Sequence, residues 1–161
     1  MSLTKIIWFS AIFFGMNFSS FAHDHKNSHG TEKEAKQLLE RAINIVKSNK
    51  TVAFAMINVG QGGFHNKDLY PFCVDSKGIM VTHPTASGTD MMSFESSDGV
   101  KVSEIMLKNA QEGKVSTLSY MLVRTVSNMS GTPTVSKDES KKITFYTKVG
   151  DYVCASGYHP Y

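Results

Sequence analysis

The sequence is poor in the marks of catalysis. It holds no Gly-x-Ser-x-Gly elbow and no His-Glu-x-x-His pair, the arrangements that expose a nucleophilic serine or bind a catalytic zinc. Gly60-Gln61-Gly62-Gly63 superficially suggests a nucleotide loop, but it follows a helical pattern and precedes a strand pattern. A phosphate loop needs the opposite order, so that a helix N-terminus points at the anion. Basic residues are scattered, with a net charge of +3 and no Lys/Arg block interleaved with aromatics, which argues against nucleic-acid binding. Internal repeats are absent. Beyond the N-terminus no apolar run reaches the roughly 20 residues that cross a bilayer. Cysteine is scarce too: Cys73 and Cys154 are the only two. Each lies in an apolar strand pattern, where a thiol is more often an inert small hydrophobe than a nucleophile. A dyad of Cys73 with His83 or His159 therefore has no supporting motif. These absences favour a binding protein over an enzyme.

The chain has 161 residues, 41% of them hydrophobic and 19% charged, enough for one domain with appendages. Lys5 precedes the apolar run from Ile6 to Phe18, and Ser20-Phe21-Ala22 sets small residues where a signal peptidase reads. Residues 1–22 are read as a secretory signal peptide, with an uncleaved anchor as the alternative. The mature chain is then periplasmic or secreted and not membrane-embedded, in a compartment that permits a disulfide. Residues 23–30 (HDHKNSHG) are polar and aperiodic and read as a disordered, His-rich tail. Cleavage after Ala22 would make His25 the third residue. A free amine, two amides and that imidazole form a square-planar nitrogen site suited to Cu(II) or Ni(II). His23 and His25 are the candidate metal ligands, with a solvated tail as the plainer reading.

Thr31 and Glu34 have the spacing of a capping box. Ala35, Leu38, Leu39, Ala42, Ile43 and Val46 then form one helical stripe. The pattern breaks at Asn49-Lys50 and resumes over Thr51 to Val59, as a second helix or a continuation past a kink. Glycines at 60, 62 and 63 free the backbone for a corner. Tyr70 to Val74 and Ile79 to Thr82 read as a hairpin turned by Asp75-Ser76-Lys77-Gly78. Thr85 to Gly99 is a polar loop, and Val100 to Glu112 an amphipathic helix ended by Gly113. Lys114 to Thr125 is a strand, Ser127 to Glu139 a loop, and Lys141 to Val149 and Tyr152 to Tyr158 a closing hairpin. No helix alternates regularly with the strands, which indicates an α+β domain with a largely antiparallel sheet. His83 reads equally as a donor at a pocket mouth and as a cap on loop carbonyls. Lys142 and Lys148 share a strand face with Thr144 and Tyr146; taken alone, each reads as a solvated lysine.

The order Gly62-Gly63-Phe64, Asp68-Leu69-Tyr70-x-Phe72-x-x-Asp75-x-x-Gly78-x-x-x-x-His83-Pro84 resembles the single Cache domain family, of the sCache_2 type. Gly88-Thr89-Asp90, Asp98-Gly99, Tyr120, Lys142, Val149-Gly150-Asp151 and Gly157 continue the likeness in order. The resemblance implies that residues 31–161 are one PAS-like domain. It implies a five-stranded antiparallel sheet of order 2-1-5-4-3 with a long N-terminal helix on one face. The other face would hold a small organic molecule, often a short carboxylate, and no cofactor is implied. Lys142, placed just before the fourth strand, and Tyr120 would hold the anionic or carbonyl group, with His83 and Asp90 at the rim. Such domains serve as extracytoplasmic sensors, so a separate signalling receptor or kinase is the implied partner. The implied strand order also sets Cys73 beside Cys154 on strands taken as parallel, where a disulfide would form only in favourable register. The reading from another class is a periplasmic Cu/Ni-handling protein acting through its tail.

Overall fold

Two helices and five strands make up the computed structural model, which describes residues 28–127 and 132–161. The expected signal peptide and the candidate ligands His23 and His25 lie outside the described residues. Helix α1 (Glu32–Asn58) begins at Thr31. The Glu34 amide donates to Thr31 Oγ1 at 3.3 Å and the Thr31 amide to Glu34 Oε2 at 2.9 Å, the reciprocal pair of a capping box. One stripe is buried: Ala35, Leu38, Leu39, Ala42, Val46, Ala53 and Ile57. Its large aliphatic members each stabilise the fold by ~1.5–3 kcal/mol. The helix kinks at Asn49, whose φ of −156° and ψ of 94° are non-helical. There the Asn49 side-chain oxygen accepts from the Val52 amide at 3.1 Å, so the break caps the second half as it ends the first.

After the glycine corner, Phe64 is driven into the core under α1. Strands β1 (Pro71–Asp75), β2 (Met80–Thr82), β3 (Ser116–Ser127), β4 (Pro133–Val149) and β5 (Tyr152–Tyr158) form one sheet in the order β2-β1-β5-β4-β3. Every neighbouring pair is antiparallel. Side chains alternate across it as strand geometry requires. Cys73, Phe145 and Cys154 pack under α1, while Phe72, Val74, Tyr120, Tyr146, Val153 and Ala155 face the other way. That second face is covered by the loop from residue 83 to 99 and by helix α2 (Val102–Asn109).

Several expectations are corrected. Ser127 and Pro133 to Glu139, expected in a loop, are strand. Ser127 still belongs to β3 and Pro133 already to β4, paired from Ser127↔Pro133 to Ser116↔Tyr146. This arm is mostly solvated, so its strands need no apolar face, and their Ser/Thr-rich sequence looks like a connection. For the same reason Lys142 lies inside β4, not before it. Second, α2 stops before Gly113. Ala110 is extended, and Gln111 O accepts from Thr147 Oγ1 at 2.9 Å, which pulls the chain against β4. Third, Ser28 and Gly30, expected at the end of a disordered tail, are held. The Gly30 amide donates to Asp68 Oδ1 at 2.6 Å, and Arg124 donates to Ser28 O at 2.8 Å.

Cys73 and Cys154 stand directly opposite each other on β1 and β5 and are disulfide-bonded. The strands are antiparallel, not parallel as expected. Directly opposed residues of an antiparallel pair bring their side chains together, and here their Cα atoms are 4.1 Å apart. With both sulfurs bonded, neither cysteine is a free nucleophile. The bond closes 81 residues of chain, for which the loop-entropy relation gives about 4–5 kcal/mol. Replacing both cysteines by alanine should cost about 2–5 kcal/mol in urea unfolding. An unchanged urea midpoint on reduction of the native protein would contradict this role.

Candidate functional site

Between the second sheet face and its cover lies a half-open cavity of about 330 Å³. Its floor comes from the strands and its roof from the 83–99 loop and α2. Lys142, fully buried, lies on the floor opposite Tyr120 of β3. Its stem passes over Gly157 of β5, because a Cβ there would come within 3.0 Å of Lys142 Cε and 2.6 Å of both Ile143 O and Thr144 Oγ1. Only glycine leaves that passage open. Lys142 Nζ donates to Tyr70 Oη at 2.7 Å and stands 4.0 Å from the centroid of the same ring. Among the described residues, no carboxylate is within ion-pair distance of Lys142. The nearby Asp68 is engaged by Arg124 Nε at 3.0 Å and by the Gly30 amide. Burial therefore lowers the pKa of Lys142, an effect that Tyr120 and Asp68 oppose.

The groups around Lys142 stay neutral. Burial pushes Tyr70 up to about 12 and raises Tyr120, whose hydroxyl accepts from Thr144 Oγ1 at 3.2 Å. His83 Nδ1 accepts the amides of Thr85 and Ala86, both at 3.0 Å. An imidazole that accepts at Nδ1 carries its proton on Nε2. The His83 ring sits edge-on to Tyr70 at 4.7 Å and lines the cavity, and burial lowers its pKa to about 3. His83 thus caps loop amides, not carbonyls, and contributes to the cavity wall. His65 also stands edge-on to Tyr70, at 5.8 Å, its Nε2 bonded to Thr125 O at 3.3 Å.

Of the expected ligand set, the structure brings Lys142, Tyr120 and His83 together at this cavity. Asp90 is not among its lining residues: it is exposed, and its carboxylate accepts from the Met92 amide at 2.9 Å. Lysine as a solvated strand residue holds for Lys148 and fails for Lys142. The sequence reading missed Tyr70 and Gly157 as site residues, although both stand in the quoted motif. Tyr70 sits two positions before Phe72, which places both on one strand face. Missed as well were Asp68 and Arg124, paired across 56 positions, a distance no local pattern spans. Among the described residues, no three His, Cys, Asp or Glu side chains converge as a metal site. His29 is edge-on to Tyr161 at 4.9 Å.

Two measurements check this arrangement. Half-buried His83 and buried His159 both have folded pKa values lowered to about 3 from 6.5, and His65 is lowered too. The unfolded chain binds these protons first, so stability is complete above pH 6.5 and falls as pH drops from there towards 3. The melting temperature should begin to fall near pH 6.5, above the carboxylate range; a constant value down to pH 5 would refute it. Gly157→Ala should destabilise by about 1–3 kcal/mol and shift the Lys142 side-chain resonances. Unaltered stability would show that the passage is not tight.

A family model described as Single Cache domain 2 matches residues 18–131. The match ends before β4 and β5, which the structure shows completing the same sheet. No curated protein matches the chain. Among solved structures, a methyl-accepting chemotaxis protein from Vibrio parahaemolyticus RIMD 2210633 superposes with a TM-score of 0.57 at 20% identity, over 79% of this chain and 86% of that one. A Cache chemosensory domain described for carboxylic acid recognition gives 0.55 at 17%, over 79% and 86%. A periplasmic sensor domain of a chemotaxis protein gives 0.52 at 17%, over 79% and 88%. At these identities the likeness is one of fold.

Proposed function

This chain belongs to the Single Cache domain 2 family, and from that premise we propose that it is a sensor-type domain that binds a small organic carboxylate. The observation that carries the reading is Lys142. An ammonium buried without a carboxylate partner is costly, of the order of several kcal/mol, and a ligand anion in the cavity would supply the missing charge. Tyr120 and the Nε2–H of His83 add neutral donors beside it, fitted to the oxygens of a carboxylate. The reading is one of binding: both cysteines are bonded, and the Thr85 hydroxyl, 3.3 Å from His83 Nδ1, belongs to the same loop cap as the Thr85 and Ala86 amides.

The domain acts outside the cytoplasm, in concert with a separate signalling protein that reads its occupancy. Three observations support this placement. The N-terminal sequence has the form of an export signal. The disulfide suits an oxidising compartment. The structural neighbours are sensor domains of chemotaxis proteins, one of them periplasmic. Among the described residues, no helix is long and apolar enough to cross a membrane.

Thermal-shift measurements with a panel of carboxylates test the proposal. A ligand at a hundredfold its Kd stabilises by about 2.7 kcal/mol, a shift of several degrees. Lys142→Met keeps the stem and removes the charge. It should leave the unliganded protein as stable or more stable, since an unpaired buried charge is lost, and should abolish the shift. The reading falls if no carboxylate shifts the folded wild type, or if Lys142→Met responds as fully as wild type.

A further inference from the structure

Lys142 is the one charged side chain among the described residues that line the cavity; no Asp, Glu or Arg joins it. Tyr70, Tyr120 and Thr125 bring polar groups from the sheet side, with His83 just past β2. The cover is different in character. Met91 and Phe94 from the loop and Val102 from α2 line it with apolar surface, and Phe72 and Leu122 continue that surface along the strands. The hydroxyls that the loop and α2 add, Thr85, Thr89 and Ser103, are neutral. The cavity thus has a single positive point on its floor and an apolar roof. Its volume of about 330 Å³ is at the low end of the ~300–1,000 Å³ that holds a drug-sized molecule. A two- or three-carbon acid would engage Lys142 and leave the roof without partner atoms, forfeiting its dispersion contacts.

From this division we infer that the ligand is a monocarboxylate with an apolar tail, either a medium-length alkyl chain or an aryl ring, and not a two- or three-carbon acid, a dicarboxylate or an amino acid. The inference rests on the carboxylate reading of Lys142 given above. A second carboxylate would meet no second cation in the cavity. An α-ammonium would meet the charge of Lys142 and no acid. Either group would be buried unpaired, which is strongly unfavourable. A hydrocarbon tail has no such cost: it lies against Met91, Phe94 and Val102 while the head stays on the floor.

Calorimetric titration of the purified protein separates the cases, using acetate, propionate, hexanoate, phenylacetate, succinate, leucine and hexylamine. Each fully buried methylene strengthens binding by about fourfold. Hexanoate and phenylacetate should therefore bind at least about tenfold more tightly than propionate, and at least about tenfold more tightly than succinate, leucine or hexylamine. Val102→Phe, which fills part of the roof, should weaken hexanoate more than propionate. Acetate or propionate binding as tightly as hexanoate and phenylacetate would overturn the tail and leave the carboxylate reading standing. So would tighter binding of succinate or leucine. Hexylamine binding as tightly as hexanoate would overturn both the inference and the anionic head on which it rests. If the folded protein binds none of the acids, both readings fall together.

Discussion

A lysine ammonium held inside the sheet face without a carboxylate beside it is the constraint that orders the rest of this structure. The charge is tolerated because its surroundings compensate in part. The Tyr70 oxygen accepts one of its hydrogen bonds at 2.7 Å and the Tyr70 ring lies against it. The stem reaches that position only because β5 presents glycine at 157. Tyr70 in turn is held by His83 and His65, both packed edge-on to it. Asp68, whose charge acts on Lys142, is drawn to Arg124 and to the chain entering α1. That acid is therefore used to close the N-terminal side of the sheet, and the cavity keeps a positive floor.

The imidazoles extend the same logic. In water near neutral pH a histidine is divided between two charge states. Inside this domain burial removes that freedom from His83 and His159, and the charge of Lys142 opposes their protonation further. Backbone amides on His83 Nδ1 then decide which nitrogen carries the proton. A residue that would otherwise compete with Lys142 for an anion becomes a neutral donor with a set direction. The disulfide on the opposite face ties β1 to β5, the strands that carry Phe72 of the cavity wall and Gly157 beside the Lys142 stem, so the floor is braced from behind.

Much of the architecture was legible in the sequence. The capping box, the apolar stripe of α1, the break at Asn49, the hairpin turned at Gly78 and the bounds of β5 all follow from local rules that act within a few residues. The family likeness supplied the sheet order, and it pointed to His83, Tyr120 and Lys142. Reading failed where an element depends on a partner remote in sequence. The outer half of the β3–β4 arm is exposed and rich in Ser and Thr, so nothing apolar marks it as strand. Helix α2 ends early because Gln111 is engaged by Thr147 and Lys148 of β4. The place of Asp90 in a motif says nothing of where its carboxylate turns, and here it accepts the Met92 amide.

By itself the sequence determined which segments are helix, corner and most of the strands, since capping, periodicity and turn chemistry are short-range. It also determined that no hydrolase or nucleotide-loop motif is present. The tertiary structure alone decided the direction of β5 against β1, and with it the alignment of Cys73 on Cys154. It alone decided that Lys142 is buried and Lys148 solvated, although both occupy the same face of one strand. The physical reason is that burial and charge compensation belong to the surroundings of a residue. Those surroundings are assembled from Tyr70, Tyr120 and Gly157, three positions that only the closed sheet brings together.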